Sequence, residues 1–445
     1  MLKWAVQPPS PTVSRSPLSW VIPLVFATAM GIYYFGIFLP HAGAERRLHN
    51  IANGYWFGDD FYPAWLSSRE WLLHHRNPYS PEMTRQIQIG LFGRPIEPQR
   101  LGDPATDYRA FSYPAFVDVL VIPLVWLPFS LARTVIALVL PVVTGFSAIW
   151  WLRFMNWRLS HAQQASVIVL MLFTYPVLEG LFAEQLGLIA AAALAASFAA
   201  LAAGRGRRAG GFLALASIKP QMCLLTIVFL MLWAGSDWRQ RRKSAVVLGV
   251  GVTLLCALGL LVSPTWPQQW ARTVVAYRHY STPPLVFDLF GAYLGGAVAA
   301  GLLLVAGALA WRMRGVSAAS MEFASVVGIL LGITVVIFLP GHAVYDHVVL
   351  LPSVLLLAKG WREIASERRI HQGLLALAAS ALFWQWAAAL AVVGFYLFRM
   401  RIPDPVLPLR TASSLPFALL VPLLWWGFDR SRYVFSQQSR SCEPN

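Results

Sequence analysis

The chain has 445 residues, of which 57% are hydrophobic and only 12% charged, and it carries a formal net charge of +15. Soluble domains hold roughly twice that share of charge, so a soluble globular fold is excluded and the recurring apolar runs mark a polytopic membrane protein. The Lys and Arg sit in short clusters between those runs, which is the positive-inside pattern and not a groove for nucleic acid.

Residues 1–17 are rich in Pro and Ser and are predicted to be a cytoplasmic tail; the run 18–40 that follows is long enough to stay as an uncleaved first span. Residues 41–111 are the only large non-apolar segment, too long for a connector and too short for a sizeable core of their own. Short interfacial helices that pack on the bundle are expected there. Within it, Gly58 to Pro81 reads GDDFYPAWLSSREWLLHHRNPYSP. Two adjacent acids, Asp59 and Asp60, are followed by Phe61 and Tyr62, then by an amphipathic run, then by the Asn77-Pro78-Tyr79-Ser80-Pro81 turn signal. Carboxylates beside lipid are costly unless they work, which points to a site; the alternative is a solvated loop with an interfacial helix.

Further apolar runs cover 112–130, 132–152, 164–183, 185–203, 211–234, 244–263, 285–311, 322–340, 342–358, 372–397 and 412–428, leaving 429–445 as a cytoplasmic tail. They are continuous and not alternating, so the spans are helices and not barrel strands. The fold class is therefore all-α, a single bundle over 18–428 with about 10–13 membrane helices. Basic clusters lie at Arg153/Arg158, Arg205–Arg208, Arg239–Lys243, Arg312/Arg314 and Lys359–Arg369. If all face the cytoplasm, an even number of crossings separates neighbours. The joints at Glu184-Gln185, at 264–284 and at Gly341–His347 then share the outer face with loop 41–111. Two places strain this parity. Residues 211–234 carry Lys219-Pro220 in their middle, where Pro breaks a helix and Lys is costly, so a broken or re-entrant hairpin is expected. Residues 112–152 carry four prolines and read either as two spans or as one span plus an interfacial element.

The chemistry is narrowed by what is missing. There is no Walker GxxxxGK[ST], GxGxxG, HExxH or GxSxG motif, and Cys223, Cys256 and Cys442 show neither a disulfide framework nor metal spacing. Few acids lie deep in the spans, which disfavours a proton-driven pump. Polar residues gather instead at the outer ends of spans: Asp59, Asp60, Tyr113, Glu184, Gln185, Arg278, His279, His342, Tyr345, Asp346 and His347. An enzyme for a lipid-linked substrate needs such a layout, with the head group at the interface and the chain in the bilayer. A carboxylate there can act as general base toward a hydroxyl, and Arg, Lys or His can hold a departing phosphate. Lys219 is the sharpest single feature, although a lysine can also snorkel or pair with a carbonyl freed by Pro220.

The order of these stretches resembles glycosyltransferase family 87, a GT-C type family that includes polyprenol-phosphate-dependent mannosyl- and arabinofuranosyltransferases. DFYPAWLSSREWLLHHRNPYSP is similar to the family's first-loop Asp-aromatic motif. FSYPAFVDVLVIPLVWLP is similar to its Tyr-Pro-Pro opening of the next span. AEQLGLIAAAALAAS and LALASIKPQMCLL resemble its Gly-Gln-Asn helix start and Lys-Pro-Gln, and LPGHAVYDHVVLLPSVLLL its late His-x-x-Tyr-Asp stretch. Ala115 stands where a second Pro is usual, and Glu184 and Leu186 stand where the family has Gly and Asn.

The resemblance implies a GT-C-like bundle whose first extracytoplasmic loop carries the catalytic base, at Asp60. The implied reaction moves a mannose- or arabinofuranose-class sugar from a polyprenyl-phosphate donor to a lipid-linked or envelope glycan, with inversion. Lys219, His342 and His347 would hold the donor phosphate. Asp59, Tyr62, Tyr79, Tyr113, Gln185, Gln221, Tyr345 and Asp346 would line the pocket. No metal ligands are assigned; no cofactor is certain, and a divalent cation at Asp59/Asp60 stays open. The expected partners are the donor, the glycan acceptor and membrane lipids, with no nucleic acid, at the inner membrane and with the site on its extracytoplasmic side. A flippase for lipid-linked sugars is the alternative, which paired inverted repeats would favour and which the sequence does not display; a structural subunit with idle acids is the third.

Overall fold

A computed structural model describes residues 18–48, 57–97, 109–279, 281–367, 369–402 and 404–440. The predicted N-terminal tail lies outside them. Every named element among the described residues is a helix, and a single bridge between Pro284 and Pro340 is the only β pairing among them.

The first span, α1 (Leu18–Gly31), runs through a π-helical segment, Ile32–Phe38, into α2 (Leu39–Leu48). The large loop then holds α3 (Tyr62–His74) and α4 (Pro81–Phe92). The turn before α4 is a helix start: the Ser80 side chain accepts from the Met83 amide, Pro81 takes the first position, and Gly93 at φ 75° ends the helix. Pro128 then divides the proline-rich run into α5 (Phe116–Val125) and α6 (Phe129–Phe154). Ten residues cover about half the bilayer core, so this run is one crossing plus a short helix packed on α3.

α7 (His161–Leu172) and α8 (Tyr175–Phe182) form a span bent by 65°. α9 (Gly187–Ala202) follows and is buried on nearly every face; its Ala-rich surface lets α6 and α10 (Gly206–Ala216) approach closely, as membrane helices must to gain packing energy. α10 and α11 (Pro220–Ser236) are the two arms of a hairpin with Lys219 at its tip. Both arms end beside α12 (Trp238–Val262): a Cβ on Gly206 would sit 3.4 Å from the Ser244 amide nitrogen, and α11 leads directly into Asp237, whose side chain caps α12. The expected break at Lys219-Pro220 is thus present, and it returns the chain to the end it came from.

α13 (Trp266–Tyr277) is followed by α14 (Leu285–Met313), kinked at Gly291, and by α15 (Met321–Phe338), which is central and buried without interruption from Phe323 to Ile337. A 3-10 turn, Val344–Leu350, opens α16 (Leu351–Glu367); α17 (Arg369–Leu397) and α18 (Leu415–Arg440) complete the bundle, α18 continuing past the expected end of the last span at 428. Six described helices are long and apolar enough to cross alone, or seven with α7–α8 taken as one span. The remaining apolar runs form shorter helices such as Gly187–Ala202 and Pro220–Ser236.

The basic clusters share one end of the bundle. Lys359 Nζ donates to the Met155 carbonyl, and Arg241 to the carbonyls of Arg314 and Gly315 at 2.7 and 3.0 Å. The joints between clusters meet at the other end. Gly58 and Asp60 donate to the carbonyls of Phe182 and Ala183, Gly341 to that of Pro283, and Trp270 to that of Ser112.

Candidate active site

The site is built where the acidic loop lies on the turn between α8 and α9. The last carbonyls of a helix have no partner within it, and here Phe182 O accepts from Gly58 N at 2.9 Å while Ala183 O accepts from Asp60 N at 3.1 Å. Gly58 is required twice over: its φ is +76°, and a Cβ there would meet Glu184 Oε2 at 2.8 Å. These bonds fix the backbone of both acids.

Asp60 has both oxygens engaged. Oδ1 accepts from Arg109 Nη1, and Oδ2 accepts from Gln185 Nε2 at 2.7 Å. The second Arg109 nitrogen donates to Asp59 Oδ2 at 2.9 Å, so one guanidinium spans both acids. The Gln185 amide is held in turn: Oε1 accepts from the Tyr113 hydroxyl at 2.5 Å and from the Gly187 amide at 3.4 Å. A backbone N–H can only donate, which orients the amide with Nε2 toward Asp60. Tyr113 is braced by Tyr79, whose hydroxyl donates to its carbonyl at 2.7 Å.

The second half of the site comes from the hairpin tip and the 3-10 turn. Lys219 Nζ donates to Asp346 Oδ1 at 2.7 Å and lies 4.9 Å from the Tyr345 ring centroid. Gly187 joins the halves: a Cβ on it would lie 2.7 Å from Asp346 Oδ1 and 3.2 Å from Lys219 Nζ. Asp60 is close enough to Asp346 for their charges to interact, and both charges reach Tyr113 and Tyr345.

The structure therefore gathers Asp59, Asp60, Tyr113, Gln185, Lys219, Tyr345 and Asp346, with Tyr79 behind them and Gln221 half-buried in the first turn of α11. It does not bring in the remaining expected residues. Tyr62 is buried among Trp65 and Phe129, its hydroxyl against Gly90. His342 is exposed and pairs with Thr282, its amide donating to Oγ1 at 2.8 Å. His347 faces away, into an apolar cavity of about 300 Å³ lined by Trp157, Met171, Val354, Trp361 and Trp386. Neighbouring residues on a tight turn project to different sides, which separates His347 from Asp346.

Arg109 and Asp118 escaped the sequence reading, and Glu184, which it placed at an outer joint, is buried in a way it did not foresee. Arg109 belongs to no motif; only its place just before the Phe111–Tyr113 stretch hinted at it. Glu184 is fully buried in the left-handed region (φ 54°), and neither carboxylate oxygen finds a hydrogen bond among the described residues. Burial pushes its pKa up to about 8, against the pull of the Arg133 charge. Asp118, with no exposed surface, accepts from Ser67 Oγ at 2.6 Å and Ser68 Oγ at 3.1 Å and ties α5 to α3.

Chemically, the arrangement offers a fixed carboxylate and cations within the same cluster at the end of a membrane bundle. Among the described residues no group of three His, Cys, Asp or Glu side chains is placed to hold a metal ion.

Comparison with curated proteins and with solved structures gives no match. The sequence profile of glycosyltransferase family 87 matches residues 111–340, more than half of the chain. The match spans Tyr113, Gln185 and Lys219, while Asp59, Asp60, Tyr345 and Asp346 lie beyond its limits and join the site through the fold. The chain thus belongs to glycosyltransferase family 87, and is a membrane glycosyltransferase.

Proposed function

We propose that this transferase takes its sugar from a polyprenyl-phosphate donor and passes it, with inversion, to a hydroxyl of a lipid-linked or envelope glycan. Asp60 is the general base, and the site opens on the extracytoplasmic face of the inner membrane. The observation that carries this reading is the convergence around Asp60 of polar groups from four distant parts of the chain: Arg109, Gln185, and Lys219 with Asp346 beyond Gly187. The collection of the basic clusters at the opposite end supports the outward orientation, because Lys and Arg mark the cytoplasmic side. The apolar cavity on the far side of the 3-10 turn offers room for a lipid chain.

Lys219 is the donor-phosphate residue in this reading. His342 and His347, the further phosphate ligands expected from the sequence, have no part in this reading. Incubating the purified protein in detergent with a radiolabelled polyprenyl-phosphate sugar and a glycolipid extract tests the proposal. Labelled glycolipid and free polyprenyl phosphate should appear together. Binding of the donor with no turnover in the presence of acceptor would overturn it in favour of a carrier of lipid-linked sugars.

A further inference from the structure

We infer that the apolar cavity behind the 3-10 turn is a binding site for a lipid chain that ends in a neutral hydroxyl, with His347 as its polar contact. The inference goes beyond the donor reading above, which asks of the cavity only room and leaves its imidazole unused. His347 is 4% exposed and lines the cavity, and neither ring nitrogen has a hydrogen-bond partner among the described residues. Three other polar side chains on the same wall are already engaged. Thr174 Oγ1 donates to the Met171 carbonyl at 2.8 Å, and Trp386 Nε1 to that of Phe173 at 2.8 Å. Gln385 accepts from the Tyr175 amide at 2.9 Å and donates to the Leu382 carbonyl at 3.1 Å. A buried polar group left unpaired is costly, and in folded proteins such groups nearly always have a partner. A lone water does not fill the role, because it needs roughly two to four polar partners of its own and the wall around His347 is apolar.

Shape and charge define the occupant. The lining follows α16 from Leu351 to Trp361, about 15 Å of helix. The cavity thus runs from the outer turn toward the end that holds the basic clusters, as a lipid chain runs within a leaflet. No Asp, Glu, Lys or Arg lines it among the described residues, so a phosphate or carboxylate end would be buried there without a counter-charge. The donor's phosphate does not fit on that ground, and its hydrocarbon chain brings nothing to an imidazole. A neutral imidazole offers one donor and one acceptor. A hydroxyl can accept from the N–H or donate to the bare nitrogen, so it serves either tautomer. A straight-chain alcohol and a polyprenol both have this chemistry. The bound chain packs on the back of the turn whose front presents Tyr345 and Asp346 to Lys219.

Photolabelling of the full chain in membranes tests the site. A hexadecanol carrying a diazirine in its chain is compared with the matching hexadecane, and the labelled peptides are identified by mass spectrometry. The alcohol should label the cavity lining on α16 and α17 roughly fivefold more than the hydrocarbon, the net worth of one hydrogen bond. Excess oleyl alcohol or decaprenol should suppress that label, and the stronger competitor names the source; octadecane and decaprenyl phosphate should not. His347→Leu should bring the alcohol down to the hydrocarbon level, and His347→Gln should retain part of the difference. Ala379→Phe, which narrows the cavity, should lower both labels. Equal labelling by the two probes in the wild type, label away from the lining, or an unchanged alcohol label in His347→Leu would each sink the hydroxyl site. Displacement by decaprenyl phosphate alone would sink it too, while leaving the donor reading intact. Where His347→Leu does not fold, the wild-type comparison of the two probes decides.

Discussion

Lys219 and Asp346 stand 127 residues apart in the chain and meet at 2.7 Å against Gly187, on the first turn of α9. Neither is more than 8% exposed. Taking two charges out of water costs several kcal/mol each, and their attraction repays this only when the remaining polar atoms are also satisfied. Here Asp346 Oδ2 has no hydrogen-bond partner among the described residues. Such a pair is poorly suited to holding a bundle together and well suited to meeting a polar substrate.

Removing one partner strands the other charge. Asp346→Asn or Lys219→Met should each destabilise the protein by about 3–5 kcal/mol, whereas the double variant Lys219→Met/Asp346→Leu should cost less than either alone. Thermal melts in detergent, read by tryptophan fluorescence, give the comparison. Single variants that melt with the wild type would mean that the pair is not formed.

Asp60→Asn keeps the shape of the side chain and removes its capacity to take a proton. Turnover should fall by roughly 10²–10⁴, the usual contribution of a general base, with the melting temperature little changed because Gly58 and Asp60 are held through their backbone. Retained turnover in that variant would rule out the assignment.

Much of this layout was readable beforehand, and the reasons are physical. A helix that must cross lipid has to be apolar and near a set length, so the runs announced themselves. A lysine followed by proline inside such a run has few tolerable positions, so the hairpin at Lys219 was legible too. What could not be read was which way side chains point from irregular backbone. Asp346 and His347 are adjacent in sequence, yet one faces Lys219 and the other an apolar cavity. Arg109 was invisible for another reason: its partners lie about fifty residues upstream, and no periodicity links them.

The α10–α12 contact provides a test of packing away from the chemistry. A Cβ at Gly210 would lie 2.4 Å from the Ser244 carbonyl oxygen and 2.8 Å from the Leu248 amide nitrogen. Backbone atoms cannot rotate away, so Gly210→Ala should cost about 1–3 kcal/mol through forced helix separation. Gly211, its neighbour, has nothing within 4 Å of the same position. Gly211→Ala should therefore be neutral or stabilising by roughly 0.5–1 kcal/mol, from lowered backbone entropy. Melting temperatures that move in the same direction for both would contradict this packing.

Glu184 makes stability depend on pH. Its pKa rises from 4.5 to about 8 because burial disfavours the charged form. The folded protein thus binds a proton that the unfolded chain has already lost, and stability falls as pH rises. The contribution is fully present below about 4.5 and is lost as pH climbs through about 8. Glu184→Gln cannot ionise and should flatten this part of the profile, so the two melting curves should diverge from pH 5 upward, with the wild type the less stable at pH 9. Glu184→Gly should go further: it removes the carboxyl and also the cost of a side chain at φ 54°, about 1–2 kcal/mol. Melts of the three proteins between pH 5 and 9 check the order. If the wild type gains stability relative to Glu184→Gln as pH rises, the carboxylate is stabilised by its surroundings and the Arg133 charge outweighs burial.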